Sequence, residues 1–104
     1  MPQNRKLIYL PEAERDFREI VSFFLKGPGV PYARNVYTTM RDTIRKLRDY
    51  PLLGPVHPDP ELAALGYRKL VLTEIYVAIY KIEDSMVYVY RIVNGTTDYP
   101  KLLK

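Results

Sequence analysis

Two periods of hydrophobic and polar positions divide the chain. Between Pro11 and Lys26 the apolar residues Ala13, Phe17, Ile20, Val21 and Phe24 recur at helical spacing and predict one buried face. Pro11 suits the first helical position, where its missing N–H costs nothing. Glu12, Glu14 and Asp16 follow in the first turns, where acids favour the positive end of the helix dipole. Gly27-Pro28-Gly29 then stops the helix. A second helix is predicted from Pro31 to near Asp49, with Ala33, Val36, Met40, Ile44 and Leu47 on its apolar face and Tyr50-Pro51 closing it. The short link between the two predicts an antiparallel helical hairpin.

The period changes to that of strands on either side of this hairpin. Arg5 to Leu10 is β-prone and stops at Pro11. Residues 51–66 are rich in proline and glycine and predict a connecting loop, with a single helical turn over Pro60 to Leu65. Tyr67–Leu72, Ile75–Ile82 and Met86–Val93 read as three strands joined by short hairpins at Thr73-Glu74 and Glu83-Asp84-Ser85. From Asn94 onward the tail is expected to turn away from the sheet. The order β-α-α-β-β-β predicts an α+β fold, with the helical hairpin packed on one face of a small antiparallel sheet. Tight hairpins would turn Leu70, Leu72, Ile75, Val77, Ile79, Met86, Tyr88, Tyr90 and Ile92 toward the helices. The opposite face would then carry Tyr67, Lys69, Val71, Tyr76, Ala78, Tyr80, Val87, Val89 and Arg91, with Lys69, Ala78 and Arg91 side by side. A slip of one residue reverses the two faces.

Length and composition narrow the chemistry. At 104 residues one domain spanning 1–104 is expected, and 47% hydrophobic residues suffice for one core. The absence of cysteine excludes a disulfide framework, a thiolate nucleophile and a Cys-ligated zinc. With His57 the sole histidine, a multi-histidine metal site is excluded too, and neither metal nor cofactor is expected. The polar start, Met1 to Lys6, leads into only four apolar residues, too few for a secretory or membrane segment, so a cytoplasmic protein without a membrane partner is expected. A net charge of +4 makes polyanions plausible partners.

Three groups of residues invite a functional reading. Lys69 and Arg91 beside Tyr67, Tyr76 and Tyr80 resemble a stacking-and-phosphate platform for single-stranded nucleic acid, or else are ordinary residues of a half-exposed sheet. Arg34, Arg41, Arg45 and Arg48 form a stripe on the second helix, roughly 120° from the centre of its apolar face. Such a stripe either contacts phosphates or an acidic partner, or is a solvated basic face. His57 lies in the proline-rich loop near Asp59 and Glu61, where a bystander role is commoner than acid–base work. No serine has a triad arrangement, and no glycine-rich loop links a strand to a helix.

The order and spacing of several segments resemble the RelE/ParE superfamily of bacterial type II toxin–antitoxin toxins, and within it the ParE-like plasmid-stabilisation toxins. The segments are Leu10-Pro11-Glu12-Ala13 through Phe24, Leu47 to Gly54, Gly66 to Leu70, Tyr76 to Asp84 and Val89 to Asp98. The resemblance implies a toxin silenced by a small antitoxin protein, which would lay a helix along the hairpin and a strand or tail across a sheet edge. An oligomer, with itself or with the antitoxin, follows from the same likeness. One branch of the superfamily cuts mRNA on the ribosome, basic side chains holding the phosphate that the 2′-hydroxyl attacks. Another shares the fold and poisons DNA gyrase.

Departures from the endonuclease pattern favour the second branch. Val77 stands where those enzymes often carry an arginine, and Asn94-Gly95-Thr96-Thr97-Asp98 stands where His-Gly-Arg-Arg-Asp is common. Each missing charge-assisted hydrogen bond to the reacting phosphate is worth about 1.5–3 kcal/mol. As an endonuclease the chain would rely on Arg68, Arg91 and Tyr99, with Lys69, Tyr67, Tyr76, Tyr80 and Asn94 as RNA or target contacts. The expectation is therefore a ParE-like toxin that binds a target such as DNA gyrase. The alternatives are a ribosome-dependent mRNA endonuclease and a non-toxic member that only binds an antitoxin. On this reading Arg91→Ala costs toxicity and little stability.

Overall fold

The computed structural model describes residues 6–104; Arg5, at the start of the first predicted strand, lies outside them. The elements follow the order expected: β1 Lys6–Tyr9, α1 Pro11–Lys26, α2 Val30–Arg45, α3 Pro60–Ala64, β2 Arg68–Val71, β3 Tyr76–Glu83 and β4 Met86–Asn94. A 3₁₀ turn, Lys46–Arg48, extends α2, and a second, Tyr99–Leu103, forms the tail. Pro11 opens α1 with Glu12 and Glu14 in its first turn. Gly29, at a φ of 108°, supplies the backbone conformation that lets α2 start with only three residues between it and α1.

The sheet order is β1-β4-β3-β2. Strands β2, β3 and β4 form an antiparallel meander, and β1 pairs with β4 in parallel, so the sheet is mixed rather than wholly antiparallel. The helical hairpin covers one face. Ala13, Phe17, Ile20 and Phe24 of α1 and Ala33, Met40 and Ile44 of α2 pack there on Leu70, Ala78, Tyr80, Val87, Val89 and Ile92. Among the described residues no helix is long and apolar enough to cross a membrane.

Two local features correct the expected faces. The β2–β3 connection uses three residues rather than two, because the Thr73 hydroxyl accepts the N–H groups of Ile75 and Tyr76 at 3.1 and 3.0 Å. Leu72 therefore bonds to Tyr76, and Lys69 lies opposite Ile79 instead of Ala78. That slip puts Ala78 and Tyr80 under the helices and turns Val77 and Ile79 to the other face. A bulge between Ile79 and Tyr80 then shifts the phase of β4, so that Val89 and Ile92 both face the helices.

The tail also departs from expectation. It returns to cover the second face, where Tyr99 and Leu103 pack with Leu62 of α3 against Tyr67, Val77, Ile79 and Val93. Val77 and Ile79 create an apolar strip there, and leaving it in water would forgo about 25 cal/mol for each Å² of apolar surface.

Candidate functional site

The aromatic residues of the expected platform are dispersed. Tyr80 is fully buried among the helix-facing residues. Tyr76 stands edge-on to Phe24 of α1, with ring centroids 6.4 Å apart. Tyr67 is buried on the second face in a T-shaped contact with Tyr90, and Lys81 rather than Lys69 lies over its ring, 4.4 Å from the centroid. Lys69, Ile79 and Arg91 do align across three strands, so the row survives with an isoleucine at its centre.

Arg68, Arg91 and Tyr99 each have a partner inside the fold: those of Arg68 and Tyr99 lie three residues apart in the loop before β2, and that of Arg91 lies on α1. Arg91 donates through Nε and Nη2 to the two oxygens of Asp16, at 2.7 and 3.0 Å. Oδ2 of Asp16 also accepts the Ile92 N–H at 2.9 Å. This is a consequence of the short first strand. β1 pairs with β4 only as far as Val89, and Asp16 satisfies a backbone donor further along β4. The hydrogen bond to Asp16 raises the Arg91 pKa against the opposing effect of burial.

Arg68 serves the loop before β2. Its Nε donates to the Gly54 carbonyl at 2.8 Å. Beside it the Tyr80 hydroxyl accepts the Gly54 N–H at 3.0 Å and donates to the Pro51 carbonyl at 2.7 Å. Burial raises the Tyr80 pKa, and the bond to Gly54 and the nearby Arg68 oppose that rise.

Tyr99 is buried against His57, its hydroxyl 2.7 Å from Nε2. Nδ1 of His57 accepts the Asp59 N–H at 3.0 Å, so the neutral ring carries its proton on Nε2 and donates it to the Tyr99 oxygen. Burial, followed by the charge of Lys69, holds the His57 pKa below its ordinary value. Burial pushes the Tyr99 phenol up. Asn94 builds the turn after β4, where its Oδ1 accepts from Thr96 N and Oγ1 and its carbonyl accepts from Thr97 Oγ1. Thr96 and Thr97 are thus turn-forming residues.

An open, largely apolar groove of about 510 Å³ lies between α1 and α2. Phe17, Val21, Leu25, Val30, Ala33 and Tyr37 supply its apolar lining, and Leu25 and Val30 are about half exposed. Arg18 and Arg34 also line it, and Arg41 and Glu14 close one end with a 2.8 Å ion pair. Arg41 is the member of the basic stripe that the fold draws inward. Its guanidinium lies 4.2 Å from the ring centroids of both Tyr9 and Phe17, and its Nε donates to the Tyr37 hydroxyl. Arg45 remains outside, paired with Asp42.

Sequence reasoning missed Asp16 and the packed role of Arg41. Asp16 did leave a signal, because it falls between Ala13, Phe17 and Ile20 on the buried face of α1. An acid there needs an internal partner.

Comparison with known proteins adds a family match. The sequence pattern described as "ParE toxin of type II toxin-antitoxin system, parDE" matches residues 7–99. No curated protein is similar enough in sequence to match. Among solved structures, one described as the chromosomal ParDE TA system from P. aeruginosa is similar with a TM-score of 0.75 at 17% identity, covering 88% of this chain and 96% of that one. A YoeB/ParE toxin from Agrobacterium tumefaciens is similar with a TM-score of 0.58 at 19% identity, over 86% of this chain and 98% of the other. The E. coli DinJ-YafQ toxin-antitoxin complex gives a TM-score of 0.58 at 19% identity, over 97% and 99%. At these identities the likeness concerns the fold.

Proposed function

Since the chain belongs to the ParE toxin family of type II toxin–antitoxin systems, we propose that it arrests growth by binding a macromolecular target of the DNA gyrase kind, without cutting RNA. The observation that carries this reading is that Arg68, Arg91 and Tyr99 each already bond a partner within the fold, Gly54, Asp16 and His57. Ribonuclease chemistry needs a base within reach of the 2′-hydroxyl and cations converging on one phosphate. Here the phenol is buried with a raised pKa, and β3 separates the strands that carry the two arginines.

The cognate antitoxin, on the same reading, seats an amphipathic helix in the α1–α2 groove. Exposed Leu25 and Val30 give such a helix an apolar floor, and Arg18 and Arg34 face acids on its flanks.

Induction of this chain alone in bacteria, with thymidine and amino-acid incorporation followed together, tests the proposal. Thymidine incorporation is expected to collapse first. Early loss of amino-acid incorporation would instead identify an mRNA endonuclease. If neither changes while soluble protein accumulates, the chain is a non-toxic family member that binds only its antitoxin. Leu25→Asp is expected to abolish protection by the co-expressed antitoxin while the toxic effect remains.

A further inference from the structure

We propose that the recess between the edge strand β1 and the C-terminal end of α2 binds phosphate groups, carried by a nucleotide or by a nucleic acid strand. The recess measures about 350 Å³ and is lined by Lys6, Leu7, Tyr9, Arg41, Arg45 and Arg48. Four of the six are cationic, and among the described residues no acid lines it. It is separate from the hairpin groove, with which it shares only Arg41.

The geometry favours an anion with many oxygens. Arg41, Arg45 and Arg48 climb one stripe, spanning about 10 Å at the helical rise of about 1.5 Å per residue. Lys6 and Tyr9 contribute from the neighbouring strand, so donors come from two elements. A single carboxylate is satisfied by a single guanidinium, as Glu14 is by Arg41 and Asp42 by Arg45. The bond to Asp42 uses one of the five N–H donors of Arg45, and the bonds to Glu14 and Tyr37 use two of those of Arg41. A terminal phosphate or pyrophosphate presents more acceptors and more charge than a carboxylate, a strand repeats its phosphodiester charges along its length, and a set of forks and an ammonium lining one recess matches either. Arg41, at the inner end of the recess, is held in place, since three aromatic rings surround its guanidinium at 4.2, 4.2 and 5.2 Å and Glu14 pairs with it. A donor fixed before the ligand arrives lowers the ordering cost of binding.

The test is an NMR titration of the full chain with sodium pyrophosphate and, separately, with a single-stranded oligothymidylate of about ten nucleotides. Backbone resonances of residues 6–9 and 41–48 are expected to move in both. The double substitution Arg45→Gln and Arg48→Gln is expected to weaken strand binding about tenfold or more, and to lower the slope of log affinity against log salt by about 1.4. Lys6→Gln provides a second, surface variant with a smaller loss, and circular dichroism checks that both stay folded. Binding of pyrophosphate without the strand would assign the site to free nucleotide-type phosphates, and binding of both to a nucleic acid backbone. Three results would overturn the proposal: shifts scattered over all basic residues, unchanged affinity in the folded variants, or an oligoglutamate of equal charge binding as tightly. The last would make the recess a contact for an acidic peptide.

Discussion

Replacing Arg91 with alanine separates a target-contacting arginine from one that holds the sheet to α1. The Asp16 side chain is 8% exposed and that of Arg91 26%, with the Nε–Oδ2 contact at 2.7 Å. Removing Arg91 leaves a carboxylate at the β4 edge whose remaining partner in this trio is the Ile92 N–H. Breaking a buried pair costs about 3–5 kcal/mol, whereas an exposed pair is worth about 0–1 kcal/mol. Because a quarter of Arg91 already meets solvent, water reaches the freed carboxylate and the expected loss is about 2–4 kcal/mol. Urea denaturation measures it directly, through a lower midpoint at unchanged slope. A double-mutant cycle with Asp16→Ala isolates the pair, and a coupling of about 2 kcal/mol or more is expected. Asp16→Asn is expected to lose less, since an amide oxygen still accepts from Ile92. A loss below about 1 kcal/mol for Arg91→Ala would refute the reasoning and return Arg91 to the surface-contact role that the sequence suggested.

Three further outcomes are expected. A Cβ at Gly54 would sit 2.5 Å from the Lys69 carbonyl oxygen and 2.9 Å from Tyr80 Cε1, so Gly54→Ala should destabilise by about 1–3 kcal/mol or more in the same urea assay. Phe17, 2% exposed beneath the hairpin, should cost about 3–5 kcal/mol on truncation to alanine, read as a lower thermal midpoint. His57 titrates below its ordinary 6.5 when folded, so the unfolded chain binds the proton first. Stability should therefore be level well above pH 6.5 and decline as pH falls through 6.5, until the folded ring is protonated too; urea midpoints of His57→Gln should lack that limb.

Much of the fold is legible in local sequence because the signals are local. Pro11, the spacing of Ala13, Phe17, Ile20 and Phe24, and Gly27-Pro28-Gly29 define α1 without reference to anything distant. The β-branched and aromatic runs after Tyr67 likewise define three strands, and the family resemblance rests on the order of these same segments. Which side of the sheet each strand residue faces was not legible. It depends on whether Thr73 closes a two- or three-residue loop and on one bulge at Tyr80, and a shift of one residue inverts every side chain beyond it. The sites follow the same division. Arg91, Arg68 and Tyr99 could be named as cations and a phenol suited to phosphate chemistry, but their partners Asp16, Gly54 and His57 stand 75, 14 and 42 residues away along the chain. Residue type is set by the sequence position itself, whereas a side chain's remaining hydrogen-bonding capacity is set by what the folded chain brings beside it. Tertiary structure alone decided that the candidate chemistry is occupied within the fold, and that the hairpin groove and the basic recess beside β1 stay open.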